Sequence, residues 1–147
     1  MAAPCPFITC AIKRKGIEFC WLCSEAENCA RLKKNREFAK LHDTATCYQR
    51  IEENARFIQK NGVAEFEKQQ KMREQLLRAM LAEFNEGRSK SRFCVAATVM
   101  EIGELEAVLE SAREKAKGLD LKAKAEVMHT LLDEISKQRD YVPKLRK

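Results

Sequence analysis

The chain has 147 residues, 34% of them charged and 45% hydrophobic, with a formal net charge of +6. That is about one domain's worth of chain, enough for a hydrophobic core, and no apolar run approaches the roughly 20 residues a membrane-spanning helix needs. The opening Met1-Ala2-Ala3-Pro4-Cys5 lacks a basic stretch followed by an apolar one, so no secretory signal is expected and the chain is placed in the cytoplasm.

Five of the seven cysteines fall at the start of the chain: Cys5, Cys10, Cys20, Cys23 and Cys29. Residues 1–24 show little periodicity and read as a loop or knuckle organised by these thiols. Helical patterning begins near Glu25 and runs as a basic helix with a narrow apolar stripe to about His42-Asp43. Asp43 or Thr44 is placed to cap the next helix. On that helix Cys47, Ile51, Ala55 and Ile58 recur at helical spacing, which marks one buried face, and Asn61-Gly62 closes it as a left-handed C-cap would.

A third helix is expected from about Val63 to Asn85, with Phe66, Met72, Leu76, Leu77, Met80, Leu81 and Phe84 as its apolar stripe and Gly87 as its stop. Arg88-Ser89-Lys90-Ser91-Arg92 reads as a short basic loop. It lacks the Gly-Lys-Ser/Thr ending of a phosphate-binding loop. The stretch Phe93–Met100 fits a buried strand or a helix start equally, because it is apolar without a clear period. Helical pattern returns over Glu101–Lys117 and, after Gly118, over about Lys122–Arg139; residues 140–147 are expected to fray. The whole reads as one all-α domain over 1–147: four to five helices packed as a bundle behind a cysteine-rich, zinc-knuckle-like cap at 1–29.

Chemistry concentrates in that cap. In Cys20-x-x-Cys23, two intervening residues let both sulfurs face one centre, with the backbone N–H groups of the turn directed at them, as in structural zinc and iron–sulfur sites. Cys10 and Cys29 are the nearest partners to complete a set of four, and Cys5 is a fifth candidate. In a reducing compartment, clustered thiols ligate metal more often than they pair, and an odd count does not close a disulfide framework. Zinc, an iron–sulfur cluster and a redox-active Cys-x-x-Cys pair all remain open from the residues alone. Trp21, between two cysteines, reads as a hydrophobic lid over the metal.

The remaining candidates read as structural. Cys47 and Cys94 lie within apolar patterns and read as core. His42 and His129 stand alone, and Glu104 and Glu106 read as ordinary surface pairing. No catalytic constellation is present. Residues 1–42 carry eight basic groups against four acidic ones. That excess favours negative charge on the thiols, or attracts an acidic protein partner or nucleic acid.

The run Cys5-x4-Cys10, Lys15-Gly16-Ile17-Glu18-Phe19-Cys20-x2-Cys23 and Cys29-Ala30-Arg31-Leu32 resembles a cysteine-rich microbial family, domain-of-unknown-function family 3795. Asn61-Gly62-Val63-x2-Phe66 and Gly87-Arg88-Ser89-Lys90-Ser91 are similar to it as well, so the likeness covers about residues 5–100. Members often carry a further cysteine-rich segment ahead of this run and a proline before its last cysteine, where this chain has Asn28. The resemblance implies zinc binding and no assigned activity.

The expectation is therefore a cytoplasmic metal-binding protein. A structural zinc held by Cys10, Cys20, Cys23 and Cys29, with Cys5 as substitute, stabilises a binding or regulatory module. An iron–sulfur or thiol redox protein on the same cysteines is the first alternative, and a nucleic-acid-binding module through the basic N-terminal region is the second.

Overall fold

The structure, a computed structural model, describes residues 5–42 and 50–144. Every regular element among them is helical. In chain order these are α1 Pro6–Ile8, a π-helical turn Thr9–Arg14, a 3-10 turn Cys20–Leu22, α2 Ala30–Leu41, α3 Ile51–Asn61, α4 Val63–Phe84, α5 Lys90–Val99, α6 Ile102–Lys115 and α7 Leu121–Arg139. No helix among the described residues is long and apolar enough to cross a membrane. The chain divides into two compact units, Met1–Leu41 and His42–Lys147, where the sequence pattern draws one domain with a cap ending at residue 29.

The all-α expectation holds, but the expected count of four to five helices is exceeded: seven α-helices lie among the described residues. One addition is α1, a single turn opened by Pro6, whose fixed φ suits a first helical position. The other is α5, formed from the ambiguous Phe93–Met100 stretch together with Lys90-Ser91-Arg92, expected as loop. Phe93, Val95, Ala96, Ala97 and Val99 of α5 are all buried. A helix enclosed on most sides carries no amphipathic period, so only its packing reveals it. Cys47 and the expected caps Asp43 and Thr44 lie outside the described residues.

In the C-terminal unit α4 packs against α3, α5, α6 and α7. Met80 and Phe84 of α4, Phe93 and Val99 of α5, Leu105 and Leu109 of α6, and Met128 and Leu132 of α7 meet in one core. Gly62 alone links α3 to α4, with φ 83° and ψ 167°. This is positive φ with an extended ψ, not the left-handed cap expected, and it is a region that glycine alone occupies readily. Asp120 starts α7 by accepting from Ala123 N at 2.8 Å, and Glu101 with Glu104 forms a capping box on α6.

Two guanidinium groups close the carbonyl end of α5. Arg73, reaching from α4 and only 8% exposed, donates through Nη1 to Ala97 O at 2.9 Å and Met100 O at 2.5 Å. Arg50 donates to Val99 O at 2.9 Å while pairing with Glu101 and Glu53. The last carbonyls of a helix have no intrahelical donor, and its C-terminus attracts positive charge, so the arginines satisfy both needs. Burial, followed by the nearby Arg50 charge, pushes the Arg73 pKa down from its usual range.

Two further polar groups differ from their sequence readings. Glu104 is not ordinary surface pairing: its side chain is 13% exposed and accepts from Arg139 at 2.7 Å and Tyr141 at 3.2 Å. Those contacts tie down the start of the segment expected to fray; residues 145–147 lie outside the described ones. His129 is not isolated either. Its Nε2 lies 2.7 Å from Ser89 Oγ, and Ser89 donates to Glu86. Ser89 is 1% exposed and donates to Glu86, and the trio braces the α4–α5 loop. Arg92 of the expected basic loop pairs with Asp133 on α7.

Replacing Arg73 by Met strands two buried carbonyls and is expected to cost about 2–3 kcal/mol. Urea unfolding followed by circular dichroism checks this, and a loss under about 0.5 kcal/mol would refute the capping role. His129 generates a second expectation. Burial first, then the Arg92 charge, lowers its pKa below the ordinary 6.5. The unfolded chain then binds the proton more readily, so stability is full above about pH 6.5 and falls as pH drops from there toward the folded value. His129→Gln should flatten that part of the urea midpoint against pH; an unchanged slope would show that another group is responsible.

Candidate metal centre

The N-terminal unit encloses a cavity of about 50 Å³, and the local sequence explains each wall. Thr9–Arg14 ends at Gly16, whose φ is +65°. Gly16 N donates to Ile12 O at 3.2 Å and Ile17 N to Ala11 O at 3.0 Å, each bond one residue wider than its counterpart in a Schellman cap, in keeping with the π-helical turn they close, and glycine is favoured at the left-handed position. This turn reverses the chain so that Ala11 and Ile17 both line the cavity. It gives a physical role to the Lys15-Gly16-Ile17 portion of the motif.

Cys20–Leu22 then forms a tight turn between extended Phe19 and Cys23. Leu22 N donates to Phe19 O and Cys23 N to Cys20 O. These donors satisfy carbonyls, where the sequence reading directs the turn's N–H groups at the sulfurs. A run of turns over 23–29 follows, with Ala26 N on Cys23 O and Cys29 N on Ala26 O. Cys29 O accepts from Lys33 N at 2.9 Å, which starts α2. Arg31 at the head of α2 donates to Pro6 O at 2.9 Å and ties that helix to α1.

Four of the five candidate cysteines meet here. Cys10, Cys20, Cys23 and Cys29 all line the cavity; Cys5 does not, and is exposed. They come from the π-helical turn, both ends of the Cys-x-x-Cys turn, and the residue before α2. All four are free thiols. Burial and then the proximity of Cys29, Cys10 and Cys23 raise the Cys20 pKa. Thiolates placed together there would repel one another, and a cation at the centre would relieve that repulsion. Among the described residues, no group of three His, Cys, Asp or Glu side chains is gathered closely enough to hold an ion. The thiols surround the cavity without converging on one point.

Trp21 is not a lid. It does not line the cavity and instead stacks flat on Phe19, with ring centroids 4.5 Å apart. Three charged residues also line it: Lys15 and Arg31, which stand in the motif, and Glu25, which does not. Lys15 Nζ donates to Cys23 Sγ at 3.2 Å and lies 2.7 Å from Glu25 Oε2. The Glu25 contact and then the Cys23 contact raise the Lys15 pKa above its usual value. The sequence signals for the Lys15–Glu25 pair are the place of Lys15 in the motif and charge interleaved with the cysteines. Cys94 is half-buried on α5.

No family model matches the chain, and no curated protein or solved structure matches it.

Because a thiol reacts as its thiolate, alkylation of the metal-free, reduced protein near neutral pH should be slowest at Cys20 and fastest at exposed Cys5. Peptide mass spectrometry over a time course reads the order. Cys20 reacting as fast as Cys5, with circular dichroism showing the helices of the metal-free unit still formed, would contradict the crowded arrangement.

Proposed function

We propose that this protein is a small zinc-binding module. Cys10, Cys20, Cys23 and Cys29 ligate one Zn²⁺, and the ion holds the N-terminal unit in shape for a binding or regulatory task. The observation that carries this reading is the shared cavity: four thiols from three separate pieces of chain line it, and the fifth lies outside. Four thiolates are a complete ligand set for tetrahedral zinc, whose Zn–S bonds of about 2.3 Å require the side chains to turn inward from their present positions.

The energetics support the same reading. Among the described side chains of residues 5–42 the one buried hydrophobic is Ala11. A unit of about 40 residues with so little core ordinarily needs a metal, disulfides or a partner. Structural zinc contributes on the order of 10 kcal/mol or more to such segments. The motif likeness to domain-of-unknown-function family 3795 points to the same ion. An iron–sulfur cluster would use the same thiolates, and metal content separates the two readings.

Metal analysis and a visible spectrum of anaerobically purified protein test the proposal, with each N-terminal cysteine changed to serine in turn. One zinc per colourless chain is expected, lost or strongly weakened in C10S, C20S, C23S and C29S and retained in C5S. Iron with sulfide in a brown sample would establish the cluster instead. Retention of zinc in all five variants would overturn the ligand set.

A further inference from the structure

We infer that Lys15 is the counter-cation of the thiol site, a positioning residue that acts through the sulfur of Cys23. The inference rests on the zinc reading above. Four thiolates around Zn²⁺ leave two negative charges, and of the two cations lining the cavity Arg31 donates to Pro6 O while Lys15 reaches a sulfur. An ammonium hydrogen-bonded to one sulfur disperses part of that charge, and outer partners of this kind set both ligand geometry and metal affinity.

The geometry fixes Lys15 for the role. Its backbone N–H bonds Cys10 O and Ile12 O, so it is anchored to the turn that carries Cys10. Gly16, immediately after it, turns the chain back along the cavity. The side chain lines the cavity wall with 29% of its surface exposed, and its ammonium lies 3.2 Å from Cys23 Sγ. Glu25, two residues beyond Cys23, holds the ammonium at 2.7 Å. The cation is thus bracketed between a ligand and a carboxylate on the same turn segment. A zinc-bound sulfur that accepts an N–H bond is a poorer nucleophile, so Cys23 becomes the ligand best protected from electrophiles.

The test compares wild type, Lys15→Met and Lys15→Arg by zinc competition against a chromophoric chelator. Two further readouts are the sulfur-to-metal charge-transfer band of the Co²⁺-loaded protein and residue-resolved alkylation of the zinc-loaded protein. K15M should bind zinc about tenfold more weakly, at the lower end for loss of an outer partner because the lysine is partly solvated. It should also shift the cobalt band and expose Cys23 selectively to alkylation, while K15R restores most of the affinity. Absence of metal from the wild type overturns the zinc reading and this inference together. Tight zinc in wild type with equal affinity in K15M overturns this inference alone. A weaker K15M that K15R does not rescue, with an unmoved cobalt band, assigns Lys15 a packing role and also overturns it.

Discussion

A chain segment that buries almost no apolar surface has to be ordered by something other than a core. That constraint governs the N-terminal unit, where Ala11 is the one buried hydrophobic among the described side chains of residues 5–42. Its other fixed points are a glycine-capped turn at Gly16, a 3-10 turn at Cys20–Leu22, a run of turns into α2, and one arginine bond from α2 back to Pro6. Each is worth a fraction of a kcal/mol to a few kcal/mol, and against the ordering entropy of some 40 residues that sum is marginal. The cysteines sit where the local turns bring the chain back on itself. A metal cross-link would join those points, and this is why the proposed function and the stability of the unit are one question.

The C-terminal unit solves the same problem in the ordinary way. Its fifteen-residue buried cluster spans α4 to α7 and includes several fully enclosed large side chains, Phe93 and Leu105 among them. Burying α5 on most sides leaves its carbonyl end without water, and Arg73 and Arg50 supply the missing donors. Charge therefore enters that core where a helix terminus needs it. Glu104 plays the complementary part, serving the N-terminus of α6 and also accepting from Arg139 and Tyr141 at the end of α7.

The elements with one wet and one dry face were legible from pattern. The third expected helix, Val63 to Asn85, is observed as Val63–Phe84, and the last two fall within a few residues of their expected bounds. Where both faces are dry, as in α5, apolar residues give no period to read. Where a single proline and a few backbone bonds make one turn, as in α1, there is too little chain for a period at all. In the candidate site, the cysteine spacing marked the right residues to examine, and four of the five line one cavity. Lys15 stood in the motif and Glu25 between cysteines, but neither was legible as a site residue, because a charged side chain carries no mark of its partner. Trp21 was misplaced because its neighbours in sequence are cysteines, while its contact in space is Phe19.

By itself the sequence determined the helical class, most helix bounds and the cluster of thiols, since these follow from local periodicity, glycine stops and residue spacing. Tertiary structure decided which thiols share a cavity, which stays outside, and which charges attend them. Those outcomes depend on how Gly16 and the Cys20–Leu22 turn redirect the chain, a direction in space that spacing along the chain does not encode.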